Sequence, residues 1–204
     1  MTRRGLLRSL LAGGIWSAFR GHLAAAQPVS LKDVEALQKN WKSLLAEGVK
    51  VPLPNEQLKL SKEEWRKRLS PNEFNILREE GTEPPGTSPL NSEKRPGIYT
   101  CAGCGLPLFT SEMKYDSGTG WPSFWQPLKK ESVKELEDKA YGMVRTEVKS
   151  AKSGAHLGHV FDDGPKPTGL RYCINSSSLR FVHKDKLAEA GLGEYSKLFA
   201  TKTP

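Results

Sequence analysis

The chain has 204 residues, 37% of them apolar, with five tryptophans, enough for one core with additions and short of two full domains. Its 14 prolines and 19 glycines point to a loop-rich, β-rich protein. The net charge of +8 does not mark a nucleic-acid binder: four arginines lie in the acid-free first 26 residues, and removing them leaves +4, dispersed among carboxylates with no basic block.

Residues 1–26 read as an export signal. Arg3 and Arg4 form a twin-arginine pair, an apolar run follows, and Ala24-Ala25-Ala26 offers a cleavage site before Gln27. Arg8 and Arg20 interrupt the apolar run, so it stays short of the ~18 uncharged residues of a membrane span. Periplasmic localisation is expected. The same arginine-rich, acid-free text also reads as a mitochondrial presequence, the competing interpretation. Residues 27–60 hold a helix and a linker. Leu31, Val34, Leu37, Trp41, Leu44 and Leu45 fall at helical spacing before Gly48, and Pro52 and Pro54 extend the chain beyond.

The compact domain spans residues 61–185. Ser61 with Glu64, and Ser70 with Glu73 behind Pro71, spell two capping boxes opening short helices. The second is expected to run to about Glu80 and stop at Gly81. Residues 82–95 form a loop, of which Gly-Thr-Glu-Pro-Pro reads as ordered. Period-two patterning then predicts strands over 97–100, 107–110, 142–148, 155–161, 170–174 and 179–183. With no helices alternating between them, the sheets should be antiparallel and the fold mainly β. Residues 186–204 are a C-terminal extension, helical over 187–199.

The chemistry gathers around Cys173, one of three cysteines and far from the other two, Cys101 and Cys104. A buried free cysteine is often only a small hydrophobe. Arg171 and Asn175, two residues to either side, fall on the same strand face and bring a fixed positive charge and an amide to the thiol. His156, His159, Asp162 and Asp163 lie on a strand entering a Gly-Pro turn, where an imidazole can move a proton near neutrality. Trp121 follows Gly-Thr-Gly, an apolar wall beside a flexible backbone. Cys101 and Cys104 form one C-x-x-C: half a zinc site, a redox disulfide or a structural disulfide.

Together these residues resemble the B-type peptide-methionine (R)-S-oxide reductases, the methionine sulfoxide reductase B family. The matching text is long and collinear: EEWRKRLSPNEFNILREEGTEPP, IYTCAGCGLPLF, YDSGTGWPSFWQP, GMVRTEV and AHLGHVFDDGPKPTGLRYCINSSSLRF. The resemblance implies two antiparallel β-sheets with short N-terminal helices. It makes Cys173 the nucleophile, His156, His159, Asp163, Arg171 and Asn175 polar site residues, and Trp121 and Phe161 the substrate-binding wall. The implied chemistry is thiolate attack on a sulfoxide sulfur, leaving methionine and a Cys173 sulfenic acid. Arg171 and the imidazoles are expected to lower the thiol's pKa. The implied partners are oxidised proteins or peptides and a thioredoxin-like reductant, with a monomeric enzyme and no membrane after signal cleavage. A non-catalytic module reading oxidised methionine or a metal on the same fold is the alternative.

Two positions depart from the pattern. Many relatives carry a second C-x-x-C completing a structural zinc site; here Ser150 and Ser153 stand there. Serine is a poor zinc ligand, so no metal cofactor is expected, and Cys101 and Cys104 are free to form a disulfide instead. A mixed site with His156 and His159 would need a tighter histidine spacing than usual. Thr119 stands where many relatives have a resolving cysteine, so an external thiol is expected to reduce Cys173, with Cys101 and Cys104 as the alternative resolving thiols.

Overall fold

The computed structural model describes residues 57–200. The expected export signal at 1–26, the helix expected over 30–47 and most of the expected linker lie outside them.

Two short helices begin the described chain, α1 (Lys62–Arg68) and α2 (Pro71–Glu79), each opened by the capping box its sequence spells. Ser61 and Glu64 exchange backbone-to-side-chain bonds of 2.7 and 3.2 Å, and Ser70 and Glu73 do the same. Such a cap stabilises a helix by about 1 kcal/mol. Trp65, Phe74, Ile76 and Leu77 bury the inner faces. Helix α2 ends one residue earlier than its sequence suggests: Glu80, not Gly81, takes the left-handed cap at φ 57°.

Among the described residues, nine strands form two antiparallel sheets. The small sheet has the order β2-β1-β9, from β1 (Gly97–Cys101), β2 (Pro107–Thr110) and β9 (Leu179–His183). The large one has the order β3-β4-β8-β7-β6-β5. Its strands are β3 (Lys114–Tyr115), β4 (Ser123–Phe124), β5 (Val133–Asp138), β6 (Arg145–Ser150), β7 (His156–Phe161) and β8 (Arg171–Ile174). Aromatic side chains from both sheets form the core. Phe109 stacks on Phe124 with centroids 4.3 Å apart, and Tyr99 meets Phe124 edge-on at 5.0 Å. Such pairs add about 0.5–1.5 kcal/mol each beyond the area they bury.

Alternation along β8 and β7 separates core from site. Tyr172, Ile174 and Val160 are fully buried in the core, so Arg171, Cys173, His159 and Phe161 project from the other face of the sheet. A register shift between Val148 and Lys149, opposite Gly158 and His156, lets His156 reach the same side as His159 although they are three residues apart.

The sequence reading missed β5. Val133-Lys-Glu-Leu-Glu-Asp138 is rich in charge because it is an edge strand with solvent along one side. The expected strand at 142–148 begins only at Arg145, after a 3-10 turn at Ala140–Gly142. The C-terminal extension is 3-10 turns, Lys184–Lys186 and Gly193–Phe199, pinned by buried Leu187 and Tyr195. Among the described residues no helix is long and apolar enough to cross a membrane.

Candidate active site

One ladder of cross-strand partners carries the site. Leu136, Glu147, His159, Cys173 and Ser123 stand directly opposite one another on successive strands, from β5 to β4. Cross-strand partners share a face with Cβ atoms about 5 Å apart, so the sheet register itself sets the His159 ring beside the Cys173 sulfur. Gly158 lets β7 approach closely: a Cβ there would lie 2.0 Å from the Cys173 carbonyl oxygen.

A cavity of about 170 Å³ opens here, lined by Thr82, Trp121, Arg145, Gly158, His159, Phe161, Cys173 and Asn175. It gathers five of the sequence-predicted residues: Cys173, His159, Asn175, Trp121 and Phe161. The other three stand behind its wall. Arg171 is buried, with its guanidinium over the Phe161 ring at 4.5 Å. Asp163 does not line the cavity; it grips Arg171 through Nε at 2.7 Å and Nη2 at 2.9 Å, which makes it an anchor for that cation. His156 lies in an adjoining cavity of about 450 Å³, where Glu147 Oε1 meets its Nδ1 at 2.6 Å and its buried Nε2 has no protein partner.

The thiol's electrostatics correct the sequence expectation. Burial pushes the Cys173 pKa up, and the Arg171 charge and the Thr119 hydroxyl oppose that shift without reversing it. Asp163 answers part of the Arg171 charge and works in the same direction as burial. His159 is shifted down, again chiefly by burial, with Asp138 pulling it up and Arg145 and His156 pushing it further down. Both groups therefore favour their neutral forms at rest.

The Gly-Thr-Glu-Pro-Pro loop is the hub that sequence patterning could not assign. The buried Glu83 carboxylate accepts the Ser176 N–H at 2.5 Å, the Ser177 N–H at 3.0 Å and the Ser177 hydroxyl at 2.8 Å. Its backbone carbonyl takes the Trp121 indole N–H at 3.0 Å, and its own N–H donates to Asn175 Oδ1 at 3.2 Å. Asn175 Nδ2 holds the Leu157 carbonyl. The Asn175 amide is thus a bracket tying the loop to β7, with its edge on the cavity. Asp138, Arg145 and Glu147 were also missed, because all three belong to the charged β5–β6 hairpin.

Thr119, beside Gly118 and Gly120 at positive φ, sits with its hydroxyl 4.0 Å from the Cys173 sulfur. Cys101 and Cys104 are free thiols, not the expected disulfide. Each lies 3.6 Å from a serine hydroxyl, Cys101 from Ser153 and Cys104 from Ser150. The two thiols interact closely, so that the Cys104 pKa falls while that of the more deeply buried Cys101 rises. Two thiols and two hydroxyls converge where four thiolates would make a tetrahedral metal site, and this donor set does not suit zinc. Among the described residues no group of three or more histidine, cysteine or acidic side chains is arranged to hold a metal.

Residues 69–183 match the family model described as the SelR domain. A peptide methionine sulfoxide reductase MsrB from Hahella chejuensis is 54% identical over 130 residues, covering 64% of this chain and 94% of the relative. The protein of the same name from Leptospira interrogans is 53% identical, covering 62% of this chain and 97% of that protein. The one from Pseudomonas putida is 55% identical, covering 60% and 92%.

Proposed function

This chain belongs to the SelR-domain family and is a peptide methionine sulfoxide reductase, and we propose that it reduces the R epimer through a sulfenic acid on Cys173. The observation that carries this reading is the single cavity shared by Cys173, His159 and Trp121.

A sulfoxide is polarised toward its oxygen, so its sulfur is the electrophile and its oxygen the proton acceptor. Between the His159 and Cys173 pKa values the pair carries one proton, which rests on sulfur. Its transfer to the imidazole generates the thiolate and the acid together, without exchange with solvent. The thiolate then attacks the substrate sulfur as His159 returns the proton to oxygen. The hydroxyl then passes from the substrate sulfur to the Cys173 sulfur: the substrate's S–O bond and the transient S–S bond break, a new S–O bond forms on Cys173, the substrate sulfur gains two electrons as methionine, and Cys173, oxidised by two, is the sulfenic acid. A thiol condenses with that acid, releasing water and forming a mixed disulfide; a second thiol restores Cys173. Trp121 and Phe161 line the same cavity as His159 and offer an apolar wall for the S-methyl group beside its polar groups, and this asymmetry is the basis of the epimer choice.

We assign the returning electrons to an external thioredoxin-like dithiol, since Thr119 supplies no thiol beside Cys173 and the Cys101–Cys104 pair lines neither cavity. The proposed substrates are oxidised proteins and peptides, and the enzyme is proposed to act as a monomer without a metal. Export to the periplasm is proposed from Arg3, Arg4 and the acid-free segment behind them; a mature N-terminus near Gln27 would bear it out.

Epimer-resolved turnover with dithiothreitol tests the core of the reading. Consumption of the R epimer alone, abolished by Cys173→Ser, is expected. Consumption of the S epimer, or turnover that survives Cys173→Ser, overturns it.

A further inference from the structure

His159 meets the substrate cavity on one side and is held from the other. We propose that Asp138, itself fixed by Arg145, is a positioning residue that sets the His159 tautomer and steadies its charged form while it carries the Cys173 proton. This rests on His159 as the proton carrier.

The geometry is specific. Asp138 Oδ2 meets His159 Nε2 at 2.9 Å and accepts from Arg145 Nη2 at 2.6 Å, while its Oδ1 caps the Ala140 N–H at 2.8 Å. Asp138 and Arg145 are cross-strand partners at the end of the β5–β6 hairpin, so backbone pairing aims both at the ring. Asp138 lines the adjoining cavity and not the substrate cavity. A substrate entering beside Cys173 therefore does not compete for it.

An imidazole whose Nε2–H is committed to a carboxylate leaves Nδ1 as its working atom. Neutral, that nitrogen accepts the thiol proton; protonated, it donates to the sulfoxide oxygen. The carboxylate does not itself take the proton. Around the ring stand Asp138 from β5, Arg145 and Glu147 from β6, His156 from β7 and Cys173 from β8. Glu147 is engaged by His156 and Lys149. Asp138 is thus the negative group bonded to His159, and Arg145 and His156 both disfavour an imidazolium. Burial works against the Asp138 charge, but the Ala140 N–H, His159 and Arg145 hold its carboxyl down to about 2, so it is charged throughout the working range.

The test is Asp138→Asn, which keeps Oδ1 for the Ala140 cap and removes the charge. The acid limb of kcat/KM should move to lower pH and the plateau should fall by about tenfold or more. In a His159→Ala background the same substitution should cost nothing further. An unmoved limb with an equal loss in both backgrounds reduces Asp138 to a scaffold residue and overturns the proposal. Nitrogen-15 NMR of the wild-type imidazole needs no variant: the neutral ring should carry its proton on Nε2, and a proton on Nδ1 overturns the proposal as well. Full activity of His159→Ala instead removes the proton-carrier reading beneath it. An inactive His159→Ala beside an unimpaired Asp138→Asn removes only the role of Asp138.

Discussion

The Thr119 hydroxyl stands 4.0 Å from the Cys173 sulfur and bonds at 2.8 Å to Ser117. A hydroxyl there bonds weakly to the thiol but cannot close a disulfide with it, as a cysteine at 119 could.

Replacing that hydroxyl should change how the enzyme is recycled. A disulfide needs an S–S distance of about 2.05 Å, so the gap must shrink by roughly 2 Å, and Gly118 and Gly120 at positive φ give the loop freedom to move. After one turnover without reductant, Thr119→Cys should contain a bond from position 119 to Cys173, seen as a cross-linked peptide. The parent should contain a trappable sulfenate. A sulfenate persisting in the variant would mean that the loop holds position 119 too far away.

What could be read from the sequence was what local rules fix. The capping boxes at Ser61 and Ser70 appear where the spacing puts them, and alternation along Arg171-Tyr172-Cys173-Ile174 correctly separates core from site. Asp138 was invisible because its meaning depends on the pairing of β5 with β6 and on a ring two strands away. Glu83 was invisible for the same reason, since its partners Ser176 and Ser177 are more than ninety residues distant. The thiol's pKa was misjudged because a sequence displays the Arg171 charge but not the depth at which the sulfur is buried.

Glu83 should be a stability residue as much as a site residue. Its carboxylate is a buried anion satisfied by three donors from one turn, and a hydrogen bond to a charged group contributes about 1.5–3 kcal/mol. In Glu83→Gln the amide nitrogen would face an N–H donor. A loss of about 2–3 kcal/mol in urea unfolding is expected, with a raised KM as the Trp121 anchor loosens. A loss below about 0.5 kcal/mol would show that the turn after β8 stands without this clamp.

The pH profile should be broad. Below the His159 pKa, which burial sets under the ordinary imidazole value, the pair holds two protons and no thiolate forms. Above the Cys173 pKa, which burial sets over the ordinary thiol value, it holds none and no acid remains. In between, on the proposed mechanism, the single shared proton supports turnover. Therefore kcat/KM for the R sulfoxide should rise through the lower limb, stay flat across neutrality and fall through the upper one. A lower limb above 7 would mean that turnover waits for the thiol to lose its proton to solvent, and would overturn the proton shared with His159.

The serine pair offers a test of convergence in three dimensions. Ser150 and Ser153 lie 3.6 Å from the Cys104 and Cys101 sulfurs, Ser150 at the end of β6 and Ser153 on the turn from β6 to β7. Restoring two thiols with Ser150→Cys and Ser153→Cys should therefore create a four-thiolate site without further change. Elemental analysis should find about one zinc per chain in the double variant and none in the parent. Structural zinc contributes on the order of 10–16 kcal/mol of apparent binding energy in peptides, so the variant's melting temperature should rise and fall back with a chelator. A double variant that takes up no zinc would mean that the two segments do not meet as closely as these distances require.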